Sequence, residues 1–235
     1  MDFYEKFISK SLKIVKAVMS HDVKSNEDYW NSFYQQDVIR VPSQFCVMVA
    51  TEANSENCLV EFGCGNGRDS LYFSTMGLNV CSIDLSNEAI ASCRMSAGIR
   101  GMKNVEFIQG SLANSNDMSK LTAKARKASK SGKITGYSRF VMHSINEEQE
   151  TAFLQNISTE MQSGETVFLE YRSKEDEKLK KTFGGHYRRF VNTDEFIRKA
   201  TQDCEFKLVY ELTGQGMARY KTEDPFVSRV ILEKK

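Results

Sequence analysis

Proline is almost missing from this chain: Pro42 and Pro225 are the only two in 235 residues, so no Pro-rich linker divides it. Histidine is nearly as scarce. His21, His143 and His186 lie far apart and no cysteine sits in a C-x-x-C pair, so no zinc site is indicated and no metal is assigned. Charge of one sign is also lacking, with 32 basic against 31 acidic residues and a net charge of +1. That balance gives no global pull towards nucleic acid or a membrane surface, and no nucleic-acid partner is expected. Long apolar runs are missing too: none approaches the roughly 20 residues of a membrane-spanning helix. The apolar residues of positions 3–19 are interrupted by Lys6, Lys10, Lys13 and Lys16, which is unlike a signal peptide. The six cysteines (46, 58, 64, 81, 93 and 204) are scattered. They read as reduced, buried residues of a cytoplasmic protein. The length suits one domain with an appendage and a real core.

What is present is concentrated in residues 58–84. An apolar run, Cys58-Leu59-Val60, leads through Glu61-Phe62 into Gly63-Cys64-Gly65-Asn66-Gly67. Leu71, Tyr72, Phe73 and Met76 then fall on one side of an amphipathic stretch that Gly77 stops, and Val80-Cys81-Ser82-Ile83 ends in Asp84. Strand, glycine turn, helix, strand and acid make the first half of a nucleotide-binding βαβ unit. Glycines allow positive φ and bring main-chain N–H groups near a ligand with no Cβ in the way. The helix beyond Gly67 offers its N-terminus to an anionic group. Asp84, at the carboxyl end of the second strand, can accept from both hydroxyls of a ribose. Arg68 stands where the dinucleotide fingerprint needs its third glycine, and a carboxylate at Glu61 suits a cationic ligand better than a pyrophosphate.

The run E-x-G-C-G-x-G resembles motif I of the class I S-adenosylmethionine-dependent methyltransferases, and Asp84 matches that family's ribose-binding acid. The resemblance implies an α/β, Rossmann-like, seven-stranded sheet, mostly parallel with an antiparallel last strand. Helices cover both faces, with a helical N-terminal cap over residues 1–50 and the methyltransferase domain over 51–235. It implies S-adenosyl-L-methionine as cofactor, bound through Glu61, Gly63, Cys64, Gly65, Asn66, Asp84, Ser111 and Leu112. Ser111 stands where the family commonly has an acid, which weakens the expected contact to the adenine amine.

Upstream, Phe3, Phe7, Ile8, Leu12, Val15, Val18 and Met19 recur at helical spacing with lysines opposite. A capping helix is the favoured reading, a membrane or partner contact the other. The segment Y-W-x-x-x-Y…P-S-x-F, with Trp30, Tyr34 and Ser43, looks like the stretch that folds over the cofactor in many class I enzymes. Tyr34 and Ser43 would then offer hydroxyls to it; alternatively these aromatics staple the cap to the sheet. Downstream, Ser86 is a candidate N-cap for a helix over 88–100. Strands are expected at 104–109, 136–143, 166–170, 205–212 and 226–232, and helices at 147–161 and 192–200, the last capped by Asn192. Residues 120–133 carry six basic residues and no acid and read as a solvated helix face, with 129–136 a loop.

Ligands of open α/β sheets bind beyond the carboxyl ends of the strands, so His143 is the candidate general base. Arg172, His186, Tyr187, Arg188 and Arg189 form a cationic, hydrogen-bonding cluster suited to an anionic or polyhydroxylated acceptor. The alternative is that they pair with Glu170, Glu175 and Asp176. No D/N-P-P-Y/F tetrapeptide follows the fourth strand and no Pro-Cys dipeptide exists, which argues against nucleic-acid bases as acceptors. Residues 137–145, 186–191 and 214–229 are similar to class I methyltransferases associated with bacterial surface-polysaccharide biosynthesis. The expected reaction is methyl transfer to an oxygen of a glycan or sugar phosphate. A small metabolite accepting on oxygen or nitrogen is the alternative acceptor. A non-catalytic cofactor-binding module and a nicotinamide oxidoreductase are the competing classes.

Overall fold

The computed structural model describes residues 41–179, 187–220 and 222–235. Alternating elements build one seven-stranded sheet. The described chain enters through α1 (Gln44–Glu52) and then runs β1 (Cys58–Phe62), α2 (Arg68–Thr75), β2 (Asn79–Asp84), α3 (Asn87–Ile99), β3 (Val105–Gln109) and α4 (Ser115–Ala128). It continues as β4 (Ile134–Arg139), α5 (Glu147–Glu160), β5 (Thr166–Arg172), α6 (Thr193–Arg198), β6 (Phe206–Gly214) and β7 (Val227–Lys234). The strand order is β3-β2-β1-β4-β5-β7-β6. β1 to β5 pair in parallel, while β7 runs antiparallel to both β5 and β6.

The expected seven-stranded sheet with one reversed strand is therefore the observed one. Parallel strands covered on both faces must be apolar on both faces, and β1 is buried along its whole length. Cys58, Val60 and Phe62 face a cluster with Met118, Leu121, Phe153, Leu154, Ile157 and Phe196 from α4, α5 and α6. Leu59 faces the other way, towards Phe45, Val49, Phe73 and Tyr137 of α1, α2 and β4. α3 completes that side through Ile90, Cys93 and Ala97, which pack with Leu71 and Phe107.

The local signals for helix starts hold. Ser86, Asn114, Asn146 and Asn192 each accept a backbone N–H at their helix N-termini, and Asn146 with Gln149 forms a full capping box. The basic run at 120–133 keeps its lysines exposed, as a solvated face requires, with Arg126 half-buried. Its helix starts at Ser115 and ends at Ala128, and β4 begins directly after the run at Ile134. The expected loop at 129–136 is shorter for the same reason. Strand β4 also stops earlier than the apolar pattern to His143 suggests, because Phe140 adopts φ 61° and turns the chain. Residue 50, the expected edge of the N-terminal cap, falls inside α1, which is packed into the sheet's second face. The expected helix over 3–19, Trp30, Tyr34 and His186 lie outside the described residues.

Candidate functional site

The site forms where β1, β2 and β4 end. Gly63, Gly65 and Gly67 have φ of 78°, 52° and 72°, a region costly for any residue with a Cβ. Two of them also lack room: a Cβ at Gly63 would meet Val141 Cγ2 at 2.3 Å, and one at Gly67 would meet Cys93 Sγ at 2.6 Å. The turn is closed by its own hydrogen bonds. The Gly63 and Cys64 amides both donate to the Ile83 carbonyl (2.9 and 3.0 Å), and Gly67 donates to the Cys64 carbonyl at 2.9 Å. These amides were expected to face a ligand; instead they fix the loop. The loop ends at α2, whose N-cap Gly67 supplies no side-chain cap.

Asp84 is the carboxylate at the mouth. Its Oδ2 accepts from Gly65 N at 2.7 Å and its Oδ1 from Ser86 N at 2.9 Å. Each oxygen keeps a second lone-pair site, so the residue can hold the loop and still receive two hydroxyls. Burial raises its pKa, with the backbone donors of Ser86 and Gly65 opposing the shift. The Asp84 carbonyl accepts from Gly110 N at 3.0 Å, drawing the end of β3 alongside. There Ser111 and Leu112 are half-buried, and the Ser111 amide donates to Asp117 Oδ2 at 3.0 Å. The amide at position 111 is thus held by an acid of the first turn of α4, six residues further on.

Glu61 lies beneath the loop, not at its mouth. It is buried, the Ser70 hydroxyl donates to it, and Ser70 in turn meets Ser82 at 2.7 Å. Burial, reinforced by Asp69, pushes its pKa well above the usual carboxylate range. Cys64 points into the third cluster and its thiol is likewise pushed up by burial, so only its backbone belongs to the loop. Asn66 is half-buried at the turn.

Ser43 also has another task than the expected one. Its hydroxyl caps α1 by accepting from Cys46 N (3.0 Å) and donates to Asp69 Oδ2 at 2.8 Å.

With Glu205, Phe140, directly after β4, is one of two non-glycine residues with positive φ among the described residues. Its amide donates to the Glu170 carbonyl at 2.8 Å and its carbonyl accepts from the Ser144 hydroxyl at 3.0 Å. The Arg139 guanidinium lies 3.9 Å from its ring centroid, and the His143 ring packs edge-on at 5.0 Å. Such a conformation costs about 1–3 kcal/mol and persists where its surroundings over-determine it. Glu170 takes Arg139 Nε on one oxygen and Arg229 Nε on the other, both at 2.8 Å. Arg229 reaches on to the Met217 carbonyl at 3.0 Å, and its guanidinium lies 5.2 Å from the Phe45 ring centroid of α1.

His143 is buried, and its Nδ1 accepts from the Arg172 amide at 3.2 Å. A neutral ring accepting at Nδ1 carries its proton on Nε2. That bond fixes the orientation of the ring. Arg172 is buried between Asp176 (2.7 Å) and Glu223 (2.5 Å). Arg189 pairs with Glu150, and its amide donates to the His143 carbonyl at 2.8 Å. Acid pairing, the alternative weighed for the arginines, thus describes both, although Glu150 and Glu223 replace the expected Glu170 and Glu175. Tyr187 is half exposed and Arg188 half-buried.

This sheet order with a single reversed strand, and a glycine turn closed on an acid at the end of β2, define the Rossmann-like methyltransferase fold. The family model described as tellurite resistance protein TehB matches residues 23–126, under half of the chain. No curated protein matches by sequence. Among solved structures, a S-adenosylmethionine-dependent methyltransferase from Anabaena variabilis superposes with a TM-score of 0.70 at 16% identity, covering 89% of this chain and 93% of that one. TehB from Haemophilus influenzae gives 0.62 at 16%, covering 89% and 67%. The glycopeptide N-methyltransferase MtfA complexed with S-adenosyl-L-methionine gives 0.62 at 12%, covering 83% and 95%. At such identities the likeness is one of fold. No helix among the described residues is long and apolar enough to cross a membrane.

Proposed function

We propose that this chain is a S-adenosyl-L-methionine-dependent methyltransferase. The observation that carries the reading is the Gly63–Asp84 pair of elements: a turn with no room for a Cβ, closed by a carboxylate that retains acceptor capacity. The donor set fits the cofactor. Asp84 would receive the ribose hydroxyls, Ser111, Leu112 and Asp117 would border the adenine, and the loop backbone of 63–66 would lie along the amino-acid end. Bound there, the cofactor supplies an electrophilic methyl group carried on a sulfonium. The chain's own residues then position the acceptor and exclude water, which can contribute about 7–11 kcal/mol to lowering the barrier. Phe140 and Val141, fixed over the loop by Glu170 and Ser144, form the wall between cofactor and acceptor.

The acceptor in this reading is an oxygen of a glycan or sugar phosphate. Its support is the resemblance of residues 137–145, 186–191 and 214–229 to polysaccharide-associated enzymes. With Nδ1 of His143 engaged by the Arg172 amide, an oxygen that is already ionised suits the site better than a neutral hydroxyl, which needs a base. Tyr187 and Arg188 are the rim groups for its recognition; Arg172 is committed to two acids. Six free, buried thiols support a reducing, cytoplasmic setting for this chemistry.

Two measurements test the proposal together. Calorimetry should show S-adenosylmethionine and S-adenosylhomocysteine binding and NAD not binding. A tritiated-methyl screen should label sugar phosphates or acidic glycans. Label on amines instead would move the acceptor to a nitrogen-bearing metabolite, and binding without any transfer would make the chain a cofactor-binding module.

A further inference from the structure

Asp69 is a buried carboxylate that the chemistry above does not use. It is the second residue of α2, directly after the glycine turn, and it is 3% exposed. Its Oδ1 accepts from Ser43 N at 2.8 Å, and its Oδ2 accepts from the Ser43 hydroxyl and the Tyr137 hydroxyl, each at 2.8 Å. Arg68 Nε stands 3.7 Å away. Tyr137 itself is stacked on Phe45 of α1 (5.2 Å) and edge-on to Phe73 of α2 (5.0 Å). One carboxylate therefore joins three elements distant in sequence: the entry to α1, the start of α2 and the middle of β4. Hydrogen bonds to a buried charge are among the strong ones, and the acid sits at a helix N-terminus, where negative charge is favoured.

We infer that Asp69, Ser43 and Tyr137 form a latch that positions residues 41–43 against the start of α2 and so sets the affinity of the cofactor loop. The inference rests on the cofactor assignment above. The three are positioning residues, not catalytic ones, since none is asked to touch the cofactor. When the latch opens, α1 loses its N-cap together with its tie to α2, and the helix that closes the glycine turn loses the carboxylate's partners. If only the latched state binds, apparent affinity falls in proportion to the latched fraction. By reciprocity, bound ligand must then favour the latch.

The test uses the full chain with S-adenosylmethionine and S-adenosylhomocysteine as probes. Ser43→Ala should weaken binding of both about tenfold, and Ser43→Thr, which keeps the hydroxyl, should restore it. Tyr137→Phe removes one hydroxyl and no packing; it should weaken binding several-fold and remains informative if Ser43→Ala does not fold. Hydrogen exchange across residues 43–52 should slow when S-adenosylhomocysteine is added to the wild type and slow less in Tyr137→Phe. A purely structural network would lower the melting temperature and leave the affinity of the folded variants alone. Wild-type affinity in both Ser43→Ala and Tyr137→Phe would overturn the latch. A wild-type chain that binds neither compound would overturn the cofactor assignment instead.

Discussion

Replacing Asp84 with Asn tests the site at its most constrained point. The carboxylate holds Gly65 N at 2.7 Å and Ser86 N at 2.9 Å, and in the proposed complex it also receives two ribose hydroxyls. Asn keeps one acceptor oxygen and places an NH₂ on the other side. With its oxygen towards Ser86, the amide turns a donor towards the Gly65 N–H; with its oxygen towards Gly65, the clash moves to Ser86. Either way one backbone donor and one hydroxyl lose a charged acceptor. A hydrogen bond to a charged group is worth about 1.5–3 kcal/mol, and a stranded donor costs about 1–3 kcal/mol. The hydroxyl loss appears in binding and the stranded amide chiefly in stability. Calorimetry should therefore show S-adenosylhomocysteine binding weakened by about 1.5–3 kcal/mol, while denaturant melts report the loop term separately. An analogue lacking the ribose hydroxyls separates the two causes: it should bind wild type and Asp84→Asn with nearly equal affinity. If the substitution weakens the analogue as much as the parent compound, Asp84 acts only by shaping the turn, and the ribose lies elsewhere.

Glu61 gives a pH signature. Its folded-state pKa lies well above its ordinary value through burial and the nearby Asp69, so the folded chain holds this proton more tightly than the unfolded one. Its stabilising contribution is full below the unfolded value of about 4.3 and is lost as pH rises through the raised folded value. Melts of wild type and Glu61→Gln should converge in acid, with the variant the more stable at higher pH; parallel curves would show that Glu61 ionises normally. His143→Ala should reduce turnover on the identified acceptor less than tenfold, because the ring donates rather than accepts; a loss of about 10²–10⁴ would restore it as the general base. Phe153→Ala removes a fully buried ring that meets Phe62 edge-on at 5.3 Å and should cost about 3–5 kcal/mol by denaturant unfolding.

The sheet was legible in the sequence because its information is local. Apolar runs of strand length, glycines at the turns and capping residues before the helices all lie within a few positions of the structure they determine. The end of β4 was not legible. Phe140-Val141-Met142 continues an apolar pattern, and only the left-handed backbone at Phe140, secured by Glu170 thirty residues later, ends the strand. The glycine loop and Asp84 were recognisable as a constellation, but the fate of their amides was not, since it depends on the carbonyl of Ile83 across the turn. Asp69 lies in the first turn of a helix, and nothing local marks it as a junction. Its partners Ser43 and Tyr137 are 26 and 68 positions away, and no periodicity joins them.

Electrostatics narrows what the acceptor side can do. Arg172 is held by Asp176 and Glu223, and Arg139 and Arg229 share Glu170, all buried or nearly so. Breaking one side of a buried pair costs about 3–5 kcal/mol, more than an exposed anion returns on a guanidinium. An acceptor phosphate or carboxylate therefore cannot draw on these arginines without unseating a resident acid. Their role is to hold β4, β5, β7 and α1 in register around the strained Phe140. In the proposed reading, recognition would fall to exposed groups such as Tyr187, which is half exposed, and Arg219, whose side chain is 71% exposed beside Asp224 at 3.6 Å. Contacts of that kind discriminate by reach and hydrogen bonding more than by net charge. In the proposed reading, an acceptor with many hydroxyls around an ionised oxygen would use such contacts and would need no general base.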